Sequence, residues 1–516
     1  MTEVRRRSFE YPAGDTVAPE AEVANAEAAS TQPPASGSGM SRRRFITVAG
    51  GAVIVIAAGA AYYYYSLGAG AGPGSSSTST SKQLTGQALS ALGPSFMISD
   101  AQNTQLSQDV SIALNANVTD LDSIRSIMIS GGGQNTYDLV DYDSSGWLAL
   151  KASSPPVTKN FAPGNIPRWT AGPIYNLFTS PETVIGTAVP PPLGPTGAYI
   201  ATSLIYPQIW AASAGVSHPE DDYGQKGSLL FTTPIDWNYD SVLYNPKHVA
   251  SLTHDNTTGI SASSWGAMYD RANVGKSTIL DVPTTATNHV AIYLVGNKMM
   301  NPPQVGPNDL SSAEMDTVVN FLIDQKKAGQ FRVSWSDFGT LVNLYIQEEV
   351  WLGDAWQPVE YYVRHGGGPC YYLEPAEGYR CWLDGTAPTA GTSKESLVYQ
   401  YINWELGPSN SSYKAKWLGY HTAIWQSQEI QSGMGPEFWD WVYNGKSTYQ
   451  AEDATKDALF DPIAYTWATT SGTPSSSGNF KDCGSIDRRT ARVGVWGRYP
   501  HNADYYFQAW GRFRTA

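Results

Sequence analysis

From about residue 83 the chain alternates short apolar runs with stretches in which apolar residues recur every three or four positions. That mixture predicts α/β units rather than a sandwich or a helical bundle. The clearest helix begins at "LSSAEMDTVVNFLIDQKKAGQ". Ser311 and Glu314 have capping-box spacing, and Met315, Val318, Val319, Leu322 and Ile323 form one stripe. Lys326 and Lys327 suit the last turn, and Gly329 suits the stop. A second helix, "SKESLVYQYINWEL", stops at Gly407-Pro408, and the final residues "ADYYFQAWGRF" place Tyr506, Trp510 and Phe513 at helical spacing. Strands are predicted at "TYDLVDY", "SVLYN", "STILDV" and "EVWLGDAW". Between residues 160 and 227 Pro and Gly interrupt every period, which reads as an insertion or elaborated loop region. No sequence repeat is present.

The N-terminal part has a different pattern. "SRRRF" at Ser41 runs into an uncharged apolar stretch from Phe45 to Leu67, enough helix to cross a hydrocarbon layer of ~30 Å. The arginines resemble a twin-arginine export signal, with Arg42 and Arg43 as the pair. Residues 41–67 are therefore expected to be a signal or membrane anchor, with the C-terminal mass outside. Cleavage near the "AGA" run and retention as an anchor both remain open; Tyr62 to Tyr65 suit an interfacial belt and favour the anchor. Residues 68–82 read as a flexible tether, and residues 1–40 as a disordered cytoplasmic tail.

Composition narrows the chemistry. A formal charge of -13 disfavours nucleic acid as a partner and favours cationic solutes. The three cysteines, Cys370, Cys381 and Cys483, are too few for a disulfide scaffold or a metal knuckle; Cys370 and Cys381 could pair in an exported chain. No GxGxxG after a strand, GxxxxGK[ST], HExxH or GxSxG occurs, and the histidines lack ligand spacing. "SHPEDDYG" around His218 and Asp221 reads as a solvated acidic loop before it reads as a metal site. No catalytic residue, metal or cofactor is assigned. Sequons at Asn117, Asn256 and Asn410 fit an external location.

The segment "EGYRCWLDG", residues 377 to 385, carries Trp382 and Asp384 two positions apart. On an extended backbone such residues face the same side. An aromatic face beside a carboxylate attracts a desolvated ammonium; the alternative is a half-buried strand end.

Several collinear segments resemble the spermidine/putrescine-binding family of extracellular solute-binding proteins, the receptors of ABC importers. They are "TYDLVDYDSSGW", "TTPIDWNYDSVLYNPKHV", "SSWGAMYDRANVGKSTILDVP", the helix from Ser311, "EEVWLGDAW", "EPAEGYRCWLDG", "YQYINWELGPS", "WLGYHTA" and "YYFQAWGRF". The resemblance covers roughly residues 130–160 and 230–425 and the last fifteen or so. It implies a two-lobed α/β architecture of the type II periplasmic-binding-protein kind, with ligand in a central cleft. Lobe 1 would take residues 83–240 and 384–430, and lobe 2 residues 241–383 and 431–516. By the same resemblance Trp237, Trp356 and Trp382 are walls, Asp384 the ammonium partner, and Tyr420 a wall or hydroxyl contact. Asp143 and Trp147 are first-lobe contacts, and Asp281 is an acidic reader in the second lobe. The alternative for each tryptophan is ordinary core packing.

One departure bears on the ligand. Where the family usually places a second acid after Asp281, this chain has Thr284 and Thr285, so one ammonium docking point is missing. The expected function is capture of a small organic solute, foremost an amine or polyamine, and its delivery to an ABC permease without turnover. Receptors for a thiamine-like cation, a metal chelate or an amino acid derivative are the nearer alternatives. A surface-anchored hydrolase and a structural cell-surface protein are the more distant ones.

Overall fold

The computed structural model describes residues 87–94, 97, 100–171, 174–179, 209–219, 222, 224, 227–255, 258–445 and 481–516. The expected tail, Arg42 and Arg43, the apolar stretch and the tether all lie outside these residues, as do Asn256, Asp221 and much of the 160–227 region. Among the described residues no helix is long and apolar enough to cross a membrane.

Thirteen strands are described: β1 (Gln87–Gly93), β2 (Ile112–Val118), β3 (Leu139–Asp143), β4 (Thr233–Tyr244), β5 (Ala262–Ser263), β6 (Ser277–Leu280), β7 (Phe331–Trp335), β8 (Leu352–Trp356), β9 (Tyr371–Tyr372), β10 (Glu374–Pro375), β11 (Tyr379–Pro388), β12 (His421–Thr422) and β13 (Val493–Trp496). Eight of them run side by side in the order β2-β1-β3-β11-β4-β8-β6-β7. At one end β1 is parallel to β2 and β3; at the other, β6 is parallel to β7 and β8. The two ends are joined by β4 and β11, long strands antiparallel to each other. The start of β4 lies against the end of β11, which pairs with β3, while the end of β4 pairs with β8. Both strands therefore pass from one half of the sheet into the other.

The helices follow local rules. Ser312–Lys327 starts on the expected capping box, with the Ser311 side chain accepting from Glu314 N and the Glu314 side chain from the Ser311 backbone. It buries Met315, Val318, Val319 and Leu322, four members of the expected stripe. Glu395–Glu405 and Ala503–Thr515 form where the periodicity predicts them. Strand β4 alternates two kinds of side chain: Trp237, Tyr239 and Leu243 on one face and Asp236, Asn238 and Asp240 on the other, all buried. A polar face can stay buried only if other elements supply partners for it, and that requirement shapes the site.

Two expectations change. None of the three cysteines is in a disulfide; all are buried, and Cys370 Sγ donates instead to Glu360 O. Asn410 is buried, with Gln102 Nε2 donating to its Oδ1 at 2.6 Å and its own Nδ2 donating to Glu405 O at 3.0 Å, so that sequon is interior.

Candidate functional site

The site is a row of carboxylates crossing the junction strands. Asp384 of β11 stands opposite Asp143 of β3 on one side and Asp236 of β4 on the other. Directly opposed residues share a face, so the three acids point the same way. Next along the same face come Trp382 opposite Asn238, and then Arg380, Asp240 and Trp356 in line. Asp141 lies two residues before Asp143, opposite Thr386. The register of β4 against β11 slips between Asp384 and Gly385, a bulge of the kind that re-aims side chains. Gly385 is required there, because a Cβ would stand 2.5 Å from both Thr232 Oγ1 and the Trp147 ring.

The acids differ in how they are satisfied. Asp143 caps the following helix, accepting from the backbone N of Ser145 at 2.7 Å and from its hydroxyl. Asp236 Oδ2 receives Lys414 Nζ at 2.5 Å. Glu405 receives the hydroxyls of Thr386 at 2.8 Å and Tyr401 at 3.0 Å. Asp240 accepts from Arg380 at 2.8 Å and from Trp382 Nε1 at 2.9 Å. His289 bridges Asp240 at 3.4 Å and Asp354 at 3.0 Å. By contrast, both carboxylate oxygens of Asp384, and both of Asp141, have no hydrogen-bond partner among the described residues, although both side chains are fully buried.

The electrostatics follow from burial. Loss of water, then the neighbouring Asp236, Asp143 and Asp141 carboxylates, push Asp384 well above the usual range. Burial, then Glu405, does the same to Asp141, with Lys414 opposing. Burial also raises Asp143, and raises Glu405 to about 7 against the pull of Lys414. For Lys414 itself burial acts downward, but Asp236, Glu405 and Asp141 outweigh it and the ammonium is held charged. His289 is likewise depressed by burial, yet its bonds to Asp240 and Asp354 prevail and raise it.

Beside the acids, Trp382, Leu418 and Tyr420, with Tyr413 against them, form a small apolar group separate from the main core. Trp382 and Tyr420 meet edge to face at 5.4 Å. A wide helical turn at Lys414–Leu418 ends at Gly419 with φ 77°, and Tyr420 follows it, its backbone N donating to Lys414 O at 3.2 Å. A side chain at Gly419 would meet the Tyr361 ring at 2.4 Å, and its carbonyl accepts from Asn238 Nδ2 at 2.8 Å. These contacts tie the turn to β4.

The structure thus brings together Asp143, Trp382, Asp384 and Tyr420. Trp147 packs behind Gly385, buried, with Nε1 donating to Tyr142 O at 2.5 Å. Trp356 is half-buried at the far end of the row, edge-on to Trp335 at 4.8 Å. Two residues do not join. Trp237 projects from the opposite face of β4 and is fully buried among Tyr175, Phe178, Tyr239 and Trp496, so it takes the core-packing alternative. Asp281 is held by the C-terminal helix, accepting from Trp510 Nε1 at 2.6 Å and Arg514 Nε at 2.8 Å. Sequence reasoning missed Asp141, Asp236, Glu405 and Lys414. The alternation "IDWNYD" is the one local signal that would have flagged Asp236. Among the described residues no group of three or more His, Cys, Asp or Glu is placed to hold a metal ion.

Comparisons with known proteins agree with this architecture. No family model matches the chain. A spermidine/putrescine-binding periplasmic protein of Salmonella typhimurium is 31% identical over 107 residues, which span 21% of this chain and 29% of that protein's length. Among solved structures, the spermidine/putrescine ABC transporter substrate-binding protein of Streptococcus pneumoniae superposes with a TM-score of 0.51 at 14% identity, covering 83% of this chain and 99% of that one. A putative spermidine/putrescine ABC transporter from Listeria monocytogenes gives 0.53 at 12% identity, covering 83% and 98%. The chain accordingly has homologues named spermidine/putrescine-binding periplasmic proteins and the two-domain, mixed α/β fold of periplasmic binding proteins.

Proposed function

We propose that the protein is the extracellular solute-binding receptor of an ABC importer and that it captures a small organic amine of the polyamine class. The observation that carries this reading is the Asp384 carboxylate: fully buried, without a hydrogen-bond partner among the described residues, and two positions along its strand from Trp382. A buried anion left unpaired is costly, and a ligand ammonium removes that cost. Trp382 and Tyr420 supply flat walls for methylenes and for cation–π contact, Asp143 and Asp141 reinforce the negative field, and Trp147 backs the strand at Gly385. Trp356 borders the far end. The names of the homologues and the shared fold support the same class of ligand and an ABC permease as the partner.

In this reading the junction strands β4 and β11 mark the division into lobes, residues 83–240 with 384–430 and residues 241–383 with 431–516, which close on the ligand. The protein binds and releases without turnover. Arg42 and Arg43 direct export, and the apolar stretch after them holds the receptor at the outer face of the membrane.

The test is thermal unfolding of the purified chain with spermidine, putrescine, thiamine, amino acids, sugars and metal ions. A true ligand at 100 times its dissociation constant stabilises the folded state by about 2.7 kcal/mol. Stabilisation by amines supports the reading; stabilisation by sugars or metals alone removes it.

A further inference from the structure

The acidic row is only partly supplied with positive charge, and how much is missing bears on the ligand. Of the five acids in and around the Asp384 cluster, Asp236 is paired with Lys414, Glu405 holds two hydroxyls, and Asp143 holds Ser145. Only Asp384 and Asp141 have both oxygens without a partner among the described residues. They are diagonal neighbours across β3 and β11, so their Cβ atoms stand roughly 7 Å apart, a spacing that a single ammonium with three donors bridges. Further along the face, Asp240 and Asp354 are already served by Arg380, Trp382, His289 and Trp335.

We infer that the cluster receives one ligand ammonium, between Asp384 and Asp141, and that Lys414 is a resident second cation occupying the position a second ammonium would take. Lys414 is then a specificity-determining residue: the site fixes one ammonium of its ligand, the alkyl part lies along Trp382 and Tyr420, and a second ammonium adds little to the affinity. This rests on the receptor reading above. It gives Lys414 a role beyond neutralising Asp236, because Tyr420, just past the turn that carries Lys414, is bonded back to the Lys414 carbonyl at 3.2 Å.

The experiment is isothermal titration calorimetry on the full chain with butylamine, putrescine and spermidine, for the wild type and for Lys414→Met. The wild type should bind butylamine and putrescine within about threefold of each other. Lys414→Met, which exposes Asp236 to the ligand, should favour putrescine over butylamine by at least about tenfold, the smallest effect expected for one desolvated charge pair. A wild type that prefers putrescine by more than about threefold, or a folded variant with an unchanged ratio, overturns the inference and leaves the receptor reading standing. A wild type that binds none of the three amines removes the receptor reading itself. Should circular dichroism show that the variant does not fold, the wild-type ratio decides alone.

Discussion

Replacing Asp384 by Asn keeps the shape of the side chain and removes its charge, and the structure predicts opposite signs for stability and affinity. Without an amine, Asp384 is fully buried, faces Asp143 and Asp236 across both neighbouring strands, and has no hydrogen-bond partner among the described residues. Burial and those carboxylates push its pKa well up, so near neutrality the wild type carries a proton there or bears repulsion. The substituted amide does neither. The variant should therefore be at least as stable as the wild type, and its advantage should grow from pH 6 to pH 8, reaching about 1–3 kcal/mol where the full desolvation cost of the anion is relieved. Binding changes the other way. A desolvated ammonium–carboxylate pair couples by ~1.5–7 kcal/mol, so the variant should lose at least about tenfold in amine affinity. Urea unfolding at the two pH values and calorimetric titration with putrescine measure both signs. A variant that unfolds easily would show that Asp384 is a structural anion with a partner in the folded state; unchanged affinity would show that it does not face the ligand.

The same cluster sets a pH dependence. Glu405 rises from 4.5 to about 7 on folding, so between these values the native state holds a proton that the unfolded chain releases, and stability without amine falls as pH rises through that window. An amine stays protonated there and needs anionic Asp384 and Asp141; its affinity should rise from pH 5 to pH 8 with release of protons, visible as buffer-dependent binding enthalpy, and pH-independent affinity would contradict the assignment. Trp382→Phe keeps a ring but removes the Nε1–H bond to Asp240 at 2.9 Å, so amine affinity should fall by about threefold and stability by about 1.5–3 kcal/mol in urea unfolding. Arg364, buried between Glu360 at 3.0 Å and Asp482 at 2.8 Å, tests the scaffold: Arg364→Met removes the cation that pairs both acids and should cost about 3–5 kcal/mol in the same assay while the folded fraction keeps its amine affinity.

The elements were legible where the governing interaction is local. The Ser311–Glu314 capping box, the apolar stripe behind it and the helix at the C-terminus depend on residues three or four apart. The pairing of Trp382 with Asp384 on one side of a strand depends on residues two apart, and β11 carries it. Strands β1 and β2 went unrecognised because "QALSALG" and "IALNANV" are built largely of small and polar residues and owe their extension to each other's hydrogen bonds. For β4, "SVLYN" reveals only the end of a strand that begins at Thr233, since its first half alternates acids with aromatics and is buried on both faces.

The sequence by itself determined the α/β pattern, the three helices marked by local caps and apolar stripes, the acidic and aromatic character of the molecule and the placing of Trp382 and Asp384 on one side of a strand. Only the tertiary structure decided which acids meet: Asp143, Asp236 and Asp384 are far apart in the chain and become neighbours through the register of β3, β4 and β11. It also decided that Trp237, one position from Asp236, turns to the opposite face and enters the core. The physical reason is that strand register moves side chains between faces in steps of one residue, and long-range packing sets it. Local sequence carries the period of a strand; the strand's neighbours choose what each face will meet.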